Sequence, residues 1–344
     1  MLYMAPKADL SLNALAEARR LSAWDSWPEQ GSPAGYFRLP MTDEATRFFQ
    51  EQGFLVLEGG LTPDEVEALR RETASICKGE RGDVPGFERG LPGESDDDAM
   101  RRYLCIHFPH KISGPMNDAI AQPSLVDVLT HVIGPNVKCM QSMLFIKAAG
   151  KPGQAWHQDE IYIPTRDRSL AGAWIALDDA TVENGCLWVI PGSQKRGVLY
   201  QMQDHNDRRF DCAGQSHGFP YTNDDAVPVE VKAGSIVFFN GYLLHRSLPN
   251  YAPGGYRRSL VNHYMSAESF LPWFGKEVPD GQYVAIADNR DIILVAGEDP
   301  YAYKGIEKRN GPHVRASGEG GCGNQQRNEE ALDPTLAPRD EDDD

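Results

Sequence analysis

The stretch MLFIKAAGKPGQAWHQDEIYIP, residues 143–164, indicates both the fold and the chemistry of this chain. Apolar residues precede a Gly-Lys-Pro-Gly turn, and a second largely apolar segment, WHQDEIYI, follows it, so two β-strands are predicted. The second segment carries His157 and Asp159 two positions apart. Because side chains at positions i and i+2 of a strand point to the same face, we expect the imidazole and the carboxylate to lie side by side.

The pattern along the chain changes from helical to strand-like. Helical spacing and capping residues predict helices over 42–53, 62–78 and 123–134, with a strand over 54–59. Further strands are predicted over 137–148, 156–163, 171–180, 185–193, 227–234, 235–247 and 257–267, with a hairpin-type turn at Glu183–Asn184–Gly185. Helices followed by many short strands predict an all-β sandwich or barrel with helical flanks.

The composition divides the chain into three parts. Residues 1–40 are predicted to be irregular, and residues 41–311 to form a single domain. Residues 312–344 lose the hydrophobic pattern and end in RDEDDD, which predicts a disordered acidic tail. Within the domain, residues 79–100 and 201–226 are polar and are predicted to be loops, either lids over a site or plain surface loops.

The charge, the lengths of the apolar runs and the cysteines indicate the kind of partner, the location and the thiol state that we expect. The formal net charge of −16 argues against nucleic acid or an anionic membrane as a partner, and leaves a small molecule as the expected one. No apolar run approaches the length of a membrane span, and no secretory pattern opens the sequence, so a cytoplasmic protein is expected. The six cysteines include no C-x-x-C pair, which predicts reduced thiols. Nothing in the sequence indicates an oligomeric state.

His157 and Asp159 match two ligands of a 2-His-1-carboxylate site, which holds Fe(II) and leaves positions open for co-substrate and oxygen. The same spacing in His205-Asn206-Asp207 lies in a charged segment, QMQDHNDRRFD, and predicts a solvated loop. The third ligand must be a distant histidine. His245 is favoured because it ends the apolar run SIVFFNGYLLH and would point toward a barrel mouth. The other candidates are His107, His110, His131 and His217.

An arginine pair follows the distal histidine. A ferrous site of this kind can use a 2-oxoacid as electron donor, and the far carboxylate of such an acid suits the planar fork of arginine. Arg257 and Arg258 open the strand RRSLVNHYMS, twelve residues after His245. They face opposite sides of a strand, so only one of them can serve.

Taken in order, these motifs resemble the phytanoyl-CoA dioxygenase family of Fe(II)/2-oxoglutarate oxygenases. The resemblance runs from about Met41 to Ser266 and is carried by FFQEQGFLVLEGGLTPDEVEALR, WHQD, the AW before the predicted turn, ENGCLWVIPGSQK and AGSIVFFNGYLLHRSLPN. It implies a mainly β, double-stranded β-helix fold, a jelly-roll or cupin-like barrel with flanking N-terminal helices. It also implies that His157, Asp159 and His245 bind Fe(II), with 2-oxoglutarate and O2 as co-substrates.

The resemblance further implies a pocket for 2-oxoglutarate. The family's arginine precedes an aromatic residue by seven positions, and Tyr264 therefore selects Arg257, with Arg258 as the alternative. Ser247 resembles the hydroxyl that joins this arginine at the carboxylate. The other residues matched to the pocket are Met143 and Trp174, Gln141 on the strand face of Met143 (or a buried polar residue there), and Lys111 by a looser alignment.

The implied activity is that of an oxidoreductase. Relatives that halogenate lack the carboxylate, so Asp159 favours hydroxylation of a small molecule, with release of succinate and CO2; desaturation, epimerisation and ring formation stay open. A free small molecule, such as an intermediate of secondary metabolism, suits this acidic chain better than a polyanionic coenzyme A ester. The alternative function is a cupin-like metal protein with a non-oxidative role, as an isomerase or a binding module.

Overall fold

The computed structural model describes residues 34–315, except 89, 91–92, 212, 278–282 and 289. Its α-helices within these residues are α1 (Asp43–Gln52), α2 (Pro63–Cys77), α3 (Asp96–Arg101), α4 (Gly114–Asp118) and α5 (Pro123–Val132). None of the helices in the described part of the chain combines the length and apolar composition that crossing a lipid bilayer requires.

The first two helices begin and end where the sequence predicts. Thr42 caps α1 by accepting a hydrogen bond from the backbone N–H of Ala45, and Gly53 ends the helix at a φ of 81°, which glycine adopts at little cost. At the start of α2, Thr62 and Glu65 form a reciprocal capping box.

Two β-sheets face each other. In the described part of the chain, the larger sheet has the order β1 (Tyr36–Phe37), β2 (Phe54–Leu57), β11 (Ile236–Asn240), β6 (Ala171–Ala176), β13 (Tyr256–Ser266), β4 (Val137–Ala148), β3 (Cys105–His107) and β17 (His313–Val314), and β16 (Ile293–Ala296) also pairs with β4. The smaller sheet has the order β10 (Val227–Val229), β7 (Leu187–Val189), β12 (His245–Ser247) and β5 (Gln154–His157). Two further pairs join β8 (Met202–Gln203) to β9 (Gln215–Ser216) and β14 (Leu271–Glu277) to β15 (Tyr283–Asp288).

The central strands of the larger sheet alternate between two cores. On β6, Ile175 packs in the core shared with the helices, whereas Trp174 packs against the smaller sheet. On β11, Phe238 and Phe239 divide in the same way. Helices therefore cover one face of the larger sheet, and the other face encloses a space with the smaller sheet. This is the mainly β jelly-roll barrel with flanking helices that the resemblance implies, and the expectation is confirmed.

Three local predictions are wrong in detail. The strand predicted over 156–163 ends at His157, because residues 159–161 form a 3-10 turn. The apolar run over 235–247 is two strands in different sheets, β11 and β12; it resembles one strand because Leu243 and Leu244 between them are also apolar and buried. The turn at 183–185 is no hairpin, because the strands that flank it, β6 and β7, belong to different sheets.

The predicted boundaries also need correction. Of residues 1–40, only 34–40 are described, and Tyr36–Phe37 there add a short strand to the sheet. Residues 313–314, assigned above to a disordered tail, form β17 because they pair with β3; residues 316–344 lie outside the described residues. Residues 79–100 are not all loop, since α3 begins at Asp96 after a Ser95 cap and contributes apolar side chains to the helical core.

Candidate metal centre and co-substrate pocket

Three ionisable side chains meet between the two sheets. His157 ends β5, and His245 begins the neighbouring strand β12 directly opposite it. The Nε2 atoms of His157 and His245 lie 3.6 and 3.5 Å from Oδ1 of Asp159, and the two imidazole centroids are 4.1 Å apart. Within the described residues, these are the His, Cys, Asp or Glu side chains that form a group able to hold one metal ion, with all ligand atoms within 4.8 Å of one another.

The orientation of both imidazoles suits metal binding. Nδ1 of His157 lies 2.7 Å from the carbonyl oxygen of Ala155, and Nδ1 of His245 lies 3.0 Å from that of Leu243. A carbonyl oxygen only accepts, so each Nδ1 carries a proton, and Nε2 is the ring nitrogen that is left to bind a metal. Burial, followed by the proximity of His245, lowers the pKa of His157 to about 3, so this imidazole is neutral at pH 7.

The carboxylate of Asp159 is held by a fourth residue. Nε2 of His263, on β13, lies 2.9 Å from Oδ2 of Asp159, which leaves Oδ1 facing the two histidines. Burial alone would raise the pKa of Asp159, but His245 and His263 outweigh it and hold the pKa below its usual range. Two imidazoles and one carboxylate form the donor set of non-haem Fe(II) sites and leave other metal positions open.

The residue between two of these ligands points elsewhere. Gln158 is fully buried, and its Nε2 donates to the carbonyl oxygens of Val198 and Tyr242 over 2.9 and 2.8 Å. Its Oε1 accepts from the backbone N–H of Tyr200 over 2.9 Å. Because these bonds keep Gln158 extended, His157 and Asp159 stay on one side although the strand has already ended.

The residues predicted to contact 2-oxoglutarate line one cavity with this triad: Gln141, Met143, Trp174, Ser247 and Arg257. Arg257 is 3% exposed and donates from Nε to the carbonyl oxygen of Gly185 over 3.1 Å and from Nη1 to Oγ of Ser259 over 2.9 Å. Its guanidinium carbon lies 5.3 Å from the centre of the Trp174 ring. Burial lowers the pKa of Arg257 to about 10, so the side chain stays charged at pH 7.

The two alternative cations have other partners. Arg258 donates from Nε and Nη2 to the two oxygens of Asp178, over 2.8 and 2.7 Å. Lys111 pairs with Asp291 and with the carbonyl oxygen of Asn310. Neither lines the cavity formed by the described residues, so the geometry favours Arg257.

The second His-x-Asp motif has a different environment. Both oxygens of Asp207 lie 3.0 Å from Nε of Arg209, and the ring of His205 makes an edge contact with Phe210. Among the described residues, neither His205 nor Asp207 belongs to a group that could share a metal ion.

The cavity has a volume of about 340 Å³, and part of its wall comes from two segments that are distant in sequence. Asp211, Ala213 and Gly214 belong to the 201–226 insertion, and Arg315 follows β17. Nη1 of Arg315 donates to Oδ2 of Asp211 over 3.1 Å, with both side chains at most 7% exposed. The described residues of 79–100 do not line the cavity, whereas the 201–226 insertion does; its role as a lid stays a prediction.

Four of the cavity-lining residues that sequence reasoning did not select are Lys147, Asp211, His263 and Arg315. Two of them had a signal in the strand pattern. Lys147 lies four positions after Met143 and His263 six positions after Arg257, so each shares a strand face with a residue that was found. The other two had no such signal, because only the folded chain brings the insertion and the C-terminal segment together.

Comparison with known proteins agrees with this site. Residues 49–259 match the family model "Phytanoyl-CoA dioxygenase (PhyH)". A phytanoyl-CoA dioxygenase 1 of Oryza sativa subsp. japonica is 30% identical over 282 residues, which cover 72% of this chain and 97% of the rice protein. A phytanoyl-CoA dioxygenase of Arabidopsis thaliana is 30% identical over 61% of this chain and 84% of that protein.

Solved structures share the fold at lower identity. The non-haem monooxygenase ThoJ, in its apo form, is 19% identical with a TM-score of 0.58, over 83% of this chain and 98% of that one. EvdO2 of Micromonospora carbonacea var. aurantiaca, solved with 2-oxoglutarate, is 24% identical with a TM-score of 0.52, over 71% of this chain and 95% of that one. The family match covers His157, Asp159, His245 and Arg257 together. The chain therefore belongs to the phytanoyl-CoA dioxygenase family of Fe(II)- and 2-oxoglutarate-dependent oxygenases.

Proposed function

We propose that this enzyme hydroxylates a small organic molecule, such as an intermediate of secondary metabolism, at an Fe(II) ion held by His157, Asp159 and His245. The observation that carries the proposal is that these side chains and the charged pocket at Arg257 open into one cavity. The three ligands fit Fe(II), and the buried guanidinium fits the distal carboxylate of a 2-oxoacid.

The metal with its co-substrate and the protein side chains have separate roles in the proposed reaction. When bound, Fe(II) and 2-oxoglutarate activate O2, so that one oxygen atom enters succinate as CO2 leaves and the other enters the product as a hydroxyl group. The protein binds and orients the reactants. Arg257 and Ser247 would hold the distal carboxylate, and Trp174 covers that guanidinium. Apolar side chains, including Met143 and Phe239, line the cavity and exclude water.

The cavity supports a small substrate. About 340 Å³ is near the lower end for ligand pockets, and this volume has to accept 2-oxoglutarate as well. Arg315, one of the cations that line the cavity, already pairs with Asp211 and is therefore not available to the polyanionic head of a coenzyme A ester. The structural neighbour SnoK, a carbocyclase from nogalamycin biosynthesis, is 23% identical with a TM-score of 0.50 over 67% of this chain and 86% of that one, and is a protein of secondary metabolism.

An anaerobic titration tests the proposed site. Fe(II) and then 2-oxoglutarate, added to the metal-free protein, are expected to give a saturable visible charge-transfer band. His157→Ala leaves two ligands and is expected to abolish the band, whereas His205→Ala, in the second His-x-Asp motif, is expected to retain it.

Two results would contradict the proposal. A band that survives in His157→Ala protein would place the metal elsewhere. Bound iron without a band in the wild-type protein would favour the non-oxidative, cupin-like alternative. Once a substrate is found, transfer of one atom from isotopically labelled O2 into the product distinguishes hydroxylation from desaturation, epimerisation and ring formation.

A further inference from the structure

Two buried basic side chains are direct neighbours in the wall of the cavity. Lys147 on β4 and Arg257 on β13 are paired residues in the antiparallel register, and each is 3% exposed. Both line the cavity, and both donate to the same carbonyl oxygen, that of Gly185, over 3.4 and 3.1 Å. Like charges directly opposite each other on a sheet destabilise it, and burial increases the cost.

The hydrogen-bond partners of both cations are neutral. Nζ of Lys147 also donates to Oγ of Ser247 over 2.9 Å and to the carbonyl oxygen of Leu248 over 2.6 Å. Arg257 has the hydroxyl of Ser259 as its other partner. In the part of the chain that the structure describes, no carboxylate lies within ion-pair distance of either cation. Buried charges are normally paired, so this pair lacks a counter-ion that a ligand has to supply.

We propose that Lys147 is a second positioning residue for the co-substrate, which together with Arg257 makes this pocket selective for 2-oxoacids that carry a second carboxylate. The inference rests on the proposed function, because it assigns the pocket to the co-substrate. It adds a residue that neither the motif pattern nor the alignment selected. The role of Lys147 is to discriminate between 2-oxoglutarate and monocarboxylic 2-oxoacids.

Lys147 acts through Ser247 as well as through its charge. In its charged form Lys147 has protons to donate and no lone pair to accept with, so Oγ of Ser247 is then the acceptor in their hydrogen bond. The hydroxyl proton of Ser247 is then directed away from Lys147 and is available to a carboxylate in the cavity. Burial, and next Arg257, lowers the pKa of Lys147 well below its usual value. A bound carboxylate raises the pKa of Lys147, so the anion and the ammonium group stabilise each other.

The chain offers a matched control on the same strand. Lys138 is also fully buried on β4, and its Nζ donates to the carbonyl oxygen of Ala267 over 3.2 Å. Among the described residues that line the cavity, Lys138 is absent. Lys138→Met therefore removes a buried lysine from β4 without changing the pocket.

The experiment measures binding rather than turnover. The full-length protein, loaded with Mn(II) under anaerobic conditions, is titrated calorimetrically with 2-oxoglutarate and with 2-oxobutyrate, which lacks the distal carboxylate. Lys147→Met is expected to weaken 2-oxoglutarate binding by about 10-fold or more, the usual effect of losing a charge-assisted contact, and to leave 2-oxobutyrate binding nearly unchanged. Lys138→Met is expected to leave both affinities unchanged. If Lys147→Met does not fold, Lys147→Gln removes the same charge and is expected to give the same selective loss.

Each other outcome has a distinct meaning. Equal weakening of both ligands by the Lys147 variants would show a structural role and overturn the inference, as would unchanged affinity for 2-oxoglutarate. Wild-type protein that binds Mn(II) and fails to bind 2-oxoglutarate would overturn the proposed function, and the inference with it.

Discussion

Nε2 of His263 lies 2.9 Å from Oδ2 of Asp159, so an imidazole outside the metal-binding triad fixes the carboxylate inside it. Both side chains are buried, at 4% and 8% exposure. Asp159 lies beyond the end of β5, in a 3-10 turn where no strand pairing restrains it. The hydrogen bond from His263 therefore turns Oδ1 toward the two histidines.

Removal of this hydrogen bond is expected to weaken metal binding. His263→Phe keeps an aromatic ring and deletes the donor, so the carboxylate is free to rotate; groups in this position usually contribute about 10- to 100-fold in metal affinity. Isothermal titration of the metal-free protein with Mn(II) measures the effect. His107→Phe is the control, since His107 lines the same cavity and bonds to Gln141 rather than to a ligand. Equal losses in the two variants would mean that His263 does not position Asp159.

Substitutions of the two adjacent arginines are expected to affect different properties, co-substrate binding for Arg257 and stability for Arg258. Arg257→Ala should weaken 2-oxoglutarate binding by about 10-fold or more, because it removes a buried cation from the cavity. Arg258→Ala should leave that affinity unchanged and lower the free energy of unfolding by about 1–3 kcal/mol, because it breaks the two-bond pair with Asp178. Anaerobic titration with 2-oxoglutarate and urea unfolding of each variant separate the two effects. A reversed pattern would move the carboxylate site to Arg258.

The fold could be predicted largely from local signals. The caps at Thr42 and Thr62 and the uninterrupted strand pattern over 137–148 coincide with observed boundaries. Errors arose where residues on both faces of a strand are buried, because the alternation of apolar and polar residues is then lost. The run over 235–247 is mostly apolar because most of its residues, in β11, in β12 and between them, are buried, so no clear signal marks the change of sheet.

The parts of the site that could be predicted are those that follow from the alternation of side chains along a strand. His157 and Asp159 end up close together although their strand ends early, because Gln158 stays extended. Their convergence with His245 follows from the pairing of β5 with β12, which no local pattern contains. Arg315 shows the limit: the surrounding sequence is polar, and only the pairing of β17 with β3 brings this residue to the cavity.

The ion pair between Asp211 and Arg315 is expected to couple the insertion to the C-terminal segment. Arg315→Met removes the ion-pair partner of Asp211 and leaves its carboxylate buried. Such a loss typically lowers the free energy of unfolding by about 3–5 kcal/mol. The double variant Asp211→Asn with Arg315→Met removes both charges and should lose clearly less than the sum of the single changes. Urea unfolding of the four proteins gives the coupling energy. Strictly additive losses would show that the two charges do not interact.

The pH dependence of stability is expected to include a contribution from His110, which is 7% exposed and does not belong to the group of candidate metal ligands. Burial, and next Lys111, lowers the pKa of His110 to about 4, whereas an unfolded histidine titrates near about 6.5. The unfolded chain therefore binds this proton first, so the contribution is complete above about pH 6.5 and is lost as the pH falls toward about 4, on the order of 3 kcal/mol in all. His110→Gln keeps a polar group beside Ser142, whose Oγ lies 2.5 Å from Nδ1, and removes the titration. Urea unfolding at about pH 7 and about pH 4 measures the free energy of unfolding of both proteins, and it should fall less with pH in the variant. The other histidines are common to both proteins and cancel. Equal falls in the two proteins would mean that His110 titrates normally in the folded protein.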